Sequence, residues 1–142
     1  MVKCISLSAV LLVLAVSGVP DALRITNDTG GNIGLYVSRF EAVKAKRQNV
    51  VIDGKCFSAC TLVLAIVPQK QICVTDNAVL GFHAAWRPGF LGFKILNEPA
   101  TYAMTQMYPD SIRRWIASKG GLNTEMIYLS GTELEAIYLP CK

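Results

Sequence analysis

The sequence predicts a single α/β domain with a largely parallel sheet and flanking helices. Three observations carry this expectation. From Leu23 onward, short β-branched runs alternate with segments of helical periodicity, the pattern of βαβ units. A near-continuous apolar run from Ser58 to Val67 has helix length and no polar face, which marks a central, buried helix. The chain has 142 residues, of which 52% are hydrophobic and 17% charged. That suffices for one core and excludes a disordered chain.

The first twenty residues stand apart. Met1-Val2-Lys3 is a positive start, Ile5 to Val16 is apolar, and Ser17-Gly18-Val19-Pro20 is small and turn-prone. This is the layout of a secretory signal peptide, residues 1–20, ahead of one domain over 21–142. A buried first strand or helix is the alternative. The run is shorter than the roughly 20 apolar residues of a membrane span. Membrane contact is therefore expected only through an uncleaved leader, and the location as periplasmic or secreted.

In the domain, Leu23-Arg24-Ile25-Thr26 alternates and predicts a strand, followed by turn chemistry in Asn27-Asp28-Thr29-Gly30-Gly31. Ile33, Tyr36, Val37, Phe40 and Val43 recur at helical spacing. That helix ends among Lys44 to Gln48, where Lys44, Lys46 and Arg47 suit the negative end of its dipole. Val50-Val51-Ile52 predicts a short buried strand closed by Asp53-Gly54. Pro68 stops the apolar helix. Gln71 to Thr75 and Ala78 to Phe82 predict two strands around an Asp76-Asn77 turn. Trp86 to Gly92, with one Pro and two Gly, predicts a loop. Pro99 to Ser118 is helical through Tyr102, Met107, Ile112 and Trp115, with a break at Pro109, and Gly120-Gly121 ends it. Ser130-Gly131-Thr132-Glu133 is a capping-box pattern that opens a last short helix.

Three segments can carry chemistry: Gly30-Gly31 after a strand, Ser58 at the opening of the apolar helix, and His83 at the end of the strand Val79 to Phe82. A serine hydroxyl needs a base to take its proton and donors to hold the developing oxyanion. At a helix start, free backbone N–H groups surround the serine, and the N–H of Ala59 offers one such donor. A diglycine turn offers a second, from Gly31 or its neighbour. A histidine at the carboxyl end of a parallel strand can reach the serine, because reactive groups gather at that edge. Taken singly, Ser58 is an ordinary helix cap, Gly30-Gly31 a turn and His83 a core residue. The Gly-x-Ser-x-Gly elbow of α/β-hydrolases is absent.

Together, their order and spacing resemble the proteolytic subunit of the Clp protease and its exported relatives in the ClpP/crotonase superfamily. The residues that carry the resemblance are Asn27-Asp28-Thr29-Gly30-Gly31, Gly54 four positions before Ser58, His83 following Ser58 after Gly81-Phe82, and Tyr128-Leu129-Ser130-Gly131-Thr132-Glu133. The exported relatives often carry cysteines on both sides of the serine, as in Cys56-Phe57-Ser58-Ala59-Cys60. The resemblance spans Leu23 to about Leu139. It implies a ClpP/crotonase-like βαβ spiral and an exported serine hydrolase, in particular a peptidase, with Ser58 and His83 catalytic and Gly31 and Ala59 at the oxyanion. The family's third member is an Asp before the last helix. Here no Asp follows Asp110, and Glu125 is the carboxylate near that position. The expectation is thus a Ser-His dyad or a Ser-His-acid triad completed by Glu125. A ClpP-fold binding or assembly module that has lost catalysis is the alternative.

The partners follow from the same reading. A peptide or acyl substrate is expected, and the resemblance implies a homo-oligomer. Net charge is +4, but few cations interleave with aromatics, so nucleic acid is not expected. Without the leader four cysteines remain, Cys56, Cys60, Cys73 and Cys141, and an exported chain is expected to use them structurally, in disulfides of open pairing. A zinc site from Cys56, Cys60, Cys73 and His83 is the weaker alternative, because the spacing is not the usual two-residue knuckle. No metal and no cofactor are expected.

Overall fold

The computed structural model describes residues 21–142. The leader predicted over 1–20 lies outside the described residues. In chain order the elements are β1 (Leu23–Asp28), α1 (Ile33–Ala45), β2 (Val50–Phe57), a 3-10 turn (Ser58–Leu62) running into α2 (Val63–Ile66), and β3 (Ile72–Val74). There follow β4 (Val79–Phe82), β5 (Trp86–Pro88), β6 (Lys94–Leu96), α3 (Glu98–Met107), α4 (Asp110–Ser118), β7 (Ile127–Ser130) and α5 (Gly131–Glu135). This is an α/β fold with a mainly parallel sheet and flanking helices.

The sheet runs β1-β2-β4-β7, with β3 also on β2. β1, β3 and β4 are parallel to β2, and β7 lies antiparallel on β4. β2 is the spine. Its first half, Val50–Ile52, pairs with β3, and its second half, Lys55–Phe57, pairs with β4. The carboxyl ends of β1, β2 and β4 therefore lie side by side, and Gly30, Ser58 and His83 each follow one of them.

Asp53-Gly54 does not close β2, as the turn-like pair suggested. The strand runs on to Phe57 through a β-bulge, where the register with β1 shifts between Ile25 and Asn27. Only glycine fits at the bulge: Gly54 has φ +154, and a Cβ there would stand 2.0 Å from the Thr26 carbonyl oxygen. Asp53 is held beside it, accepting from Arg24 Nη1 (2.7 Å), Thr75 Oγ1 (2.7 Å) and Asn77 Nδ2 (3.2 Å).

The apolar run from Ser58 is helical but not one α-helix. It opens as 3-10 and becomes α only at Val63. Ser58 enters it with φ +55, a left-handed conformation that α-helix does not allow. Its burial is as the all-round apolar pattern requires: Cys60, Leu62, Val63 and Leu64 are among the most enclosed residues. On α1 the predicted stripe faces the core through Phe40 and Val43. The break at Pro109 separates α3 from α4, and Gly120 and Gly121 end α4 with φ +90 and +86.

Three further differences appear. Trp86 to Gly92 is not a simple loop; it begins a two-stranded hairpin in which Trp86 pairs with Leu96 and Pro88 with Lys94. Ile127–Ser130 is an additional strand. The capping box does not form, although α5 starts after Ser130: the Ser130 side chain makes no cap bond. Glu133 instead accepts from Trp115 Nε1 (3.1 Å) and Lys119 Nζ (2.9 Å). Two charged-group bonds across elements outcompete one local cap.

All four cysteines of the domain are bonded, Cys56 to Cys60 and Cys73 to Cys141. The second bridge fixes the chain end along β3, where Val74 N–H donates to Leu139 O (3.1 Å) and Cys141 N–H to Val74 O (2.9 Å). The sulfur atoms that a zinc site would need are thus committed to each other. Among the described residues no helix is long and apolar enough to cross a membrane.

Candidate active site

A cleft of about 680 Å³ opens at the carboxyl ends of the parallel strands. Its walls include Gly30, Gly31, Ser58, Ala59 and His83, together with Met104 and Met126. Four of the five sequence-predicted site residues therefore come together. The fifth, Glu125, is exposed and is not among the residues lining the cleft. Among the described residues, none that lines it is an Asp or a Glu.

Ser58 sits at the sharp exit of β2. Its φ of +55 costs a non-glycine residue about 1–2 kcal/mol. Three features hold it there. The Cys56–Cys60 bridge closes a small ring over it. The Thr61 hydroxyl donates to the Ser58 carbonyl at 2.7 Å. Thr61 Oγ1 and the Tyr108 hydroxyl lie 2.6 Å apart. Since the Thr61 proton points at Ser58, Tyr108 is the donor of that pair. Burial pushes the Tyr108 hydroxyl far up, so it keeps its proton. The third feature is Gly30, whose missing side chain leaves room: a Cβ would lie 2.5 Å from Phe57 O, 2.6 Å from Ser58 Cβ and 2.8 Å from Ala59 N. A strained turn of this kind is how a fold presents a side chain at a cleft mouth. The room comes from across the sheet, which is why no glycine is needed next to Ser58.

The Asn27–Gly31 turn is itself organised. Asp28 accepts from Gly30 N–H (3.0 Å), from Arg39 Nη1 (2.9 Å) and from the Tyr36 hydroxyl. Burial works against the Asp28 charge, but these three donors outweigh it and hold its carboxyl below the usual range. Tyr36 responds in the opposite sense: burial and the bond to Asp28 push its hydroxyl up to about 12. The Asn32 side chain caps α1 by accepting from Leu35 N–H (3.1 Å).

His83 is half-buried directly after β4. Its Nδ1 lies 2.7 Å from the carbonyl oxygen of Ala84. A carbonyl only accepts, so Nδ1 carries the proton and Nε2 is left as the basic nitrogen. The atom that an acid of a triad engages is thereby taken by the backbone.

Sequence reasoning missed Thr61, Tyr108 and the packing role of Gly30. Thr61 carried a weak signal, a hydroxyl three residues after Ser58. Tyr108 carried none, because it is 47 positions from its partner.

No protein-family model matches the chain, and no curated protein does. Among solved structures the chain is similar to the ClpP1 N165D mutant from Listeria monocytogenes. The two share 16% identity over 82% of this chain and 70% of that one, with a TM-score of 0.48. A likeness of that degree assigns no activity.

Proposed function

We propose that this chain is an exported serine hydrolase of ClpP-like type, a peptidase working through a Ser58–His83 dyad in the periplasm or outside the cell. The observation that carries the reading is Ser58 in a left-handed turn at the mouth of a cleft that His83 also lines. Ser58 Oγ attacks the scissile carbonyl. Nε2 of His83 takes the hydroxyl proton and gives it to the leaving group as the scissile bond breaks. It then takes a proton from the water that releases the acyl group and returns it to Ser58 Oγ, while the Ala84 carbonyl steadies the imidazole through Nδ1. The N–H groups of Gly31 and Ala59 hold the oxyanion. The two disulfides fit an oxidising compartment. As in Clp-type proteins, a homo-oligomer belongs to this reading.

A second reading is favoured by one observation: among the described residues no carboxylate lines the cleft. A chain of this fold without the acid would serve as a binding or assembly module. A fluorophosphonate probe separates the two. Under the hydrolase reading the probe adds to the wild-type protein at Ser58 and not to Ser58→Ala, whose folding is expected to change little, because Phe57 and not Ser58 is the cap of this turn. Any hydrolytic rate falls by several orders of magnitude with it. A wild type that is inert to the probe leaves the module.

A further inference from the structure

The β5–β6 hairpin carries a feature that the cleft chemistry does not use. Its tip, Gly89 to Phe93, presents Phe90, Leu91 and Phe93 to solvent with exposures of 86%, 79% and 71%. Three bare apolar side chains within four residues of a hairpin turn are not ordinary surface. Behind them stand two cations, Arg87 on β5 and Lys94 on β6. Pairing places them on opposite faces of the ribbon: Arg87 sits across from Ile95, and Lys94 across from Pro88. No Asp or Glu occurs between Ala84 and Asn97. Trp86, at the hairpin base, is half-exposed and has the Lys94 ammonium over its ring at 4.9 Å.

We propose that this hairpin docks on an anionic lipid surface, with Phe90, Leu91 and Phe93 entering the headgroup–acyl boundary and Arg87 and Lys94 meeting lipid phosphates. At about 3.3 Å per residue the two cations stand within roughly 10 Å of the tip. That matches the 5–10 Å to which interfacial elements bury their apolar face. An indole flanked by a cation is the side chain that favours the membrane–water interface. The charge decides between occupants. A second copy packed two-fold on this hairpin brings the same patch against itself and gathers four cations around one apolar contact. Anionic headgroups complement them, and the net charge of +4 adds to the attraction. Trp86, Pro88 and Lys94 also line the cleft, so docking turns the cleft toward the lipid surface. The inference stands whether or not Ser58 reacts.

The test is flotation of the full chain with vesicles of phosphatidylcholine alone and of an equal mixture with phosphatidylglycerol. Binding is expected to the mixed vesicles, with a blue shift of tryptophan emission that comes from Trp86, since Trp115 is already buried. The variant Phe90→Ser/Leu91→Ser/Phe93→Ser is expected to bind at least about tenfold more weakly and to lose the shift. Arg87→Gln/Lys94→Gln is expected to weaken binding by roughly tenfold or more. Retention of both disulfides on non-reducing mass spectrometry shows that the variants are folded. No flotation of the wild type overturns the proposal. So does undiminished binding of the serine variant, which assigns attachment to another segment. A lipid-free dimer abolished by the serine substitutions assigns the tip to self-association and overturns it too.

Discussion

Gly30→Ala tests how the turn at Ser58 is held. The added Cβ meets Phe57 O, Ser58 Cβ and Ala59 N at 2.5, 2.6 and 2.8 Å, about 0.6–0.9 Å inside the 3.4 Å where ordinary van der Waals contact begins. None of these atoms is the end of a flexible side chain. Either residues 57–59 retreat or the Gly30 turn does, by most of an ångström. The φ of +83 adds about 1–2 kcal/mol of conformational cost for an alanine. A misplacement of about 1 Å at reacting groups costs about 10²-fold in rate. Gly120→Ala is the matched comparison: its φ is +90, but nothing lies within 4 Å of the new Cβ. Both variants are expected to melt a few degrees lower, Gly30→Ala further than Gly120→Ala. Only Gly30→Ala is expected to react with the fluorophosphonate about two orders of magnitude more slowly. Wild-type reactivity in Gly30→Ala would refute the positioning argument. Equal melting losses in the two variants would refute the steric one, even if Ser58 proves unreactive.

Other expectations rest on single contacts. Thr61→Val strips the donor from the Ser58 carbonyl and leaves the buried Tyr108 hydroxyl alone, a cost of about 1–3 kcal/mol; adding Tyr108→Phe should recover part of it in urea melts. Asp28 has a folded pKa below its unfolded value of about 3.9. Its stabilisation is therefore complete above pH ~4 and is lost as pH falls through the folded value; the melting-temperature gap between wild type and Asp28→Asn should close in acid. Glu125→Gln is expected to leave any hydrolytic rate unchanged, because His83 Nδ1 already donates to Ala84 O. Glu133→Gln should lower the melting temperature instead, through its bonds to Trp115 and Lys119.

What the sequence made legible was whatever depends on period and punctuation. The apolar stripe of α1, the break at Pro109 and the stop at Gly120-Gly121 are local facts with local causes. The meeting of Gly30, Ser58 and His83 was legible because each follows a strand, and parallel strands bring their carboxyl ends to one edge. The hairpin was hidden by Pro88 and two glycines, which say turn but not what the turn joins. β2 beyond Gly54 was hidden because a bulge glycine and a strand-ending glycine look alike until the partner strand is known. The capping box failed for a tertiary reason, since Trp115 and Lys119 arrive from a distant helix to claim Glu133. Long-range partners of this kind leave no mark on local pattern.

The Cys73–Cys141 bridge has a consequence for how the molecule survives damage. Everything from β4 to α5, the exposed Phe90–Phe93 tip included, lies inside one covalent loop. A foreign protease that cuts at the tip opens the loop into two arms, and both remain joined at the sulfur atoms. His83 and the chain end stay tethered to β3 at high effective concentration, so the arms are positioned to re-pair instead of diffusing apart. Where cutting enzymes are abundant and no machinery rebuilds the chain, a nick then becomes a scar and not a loss.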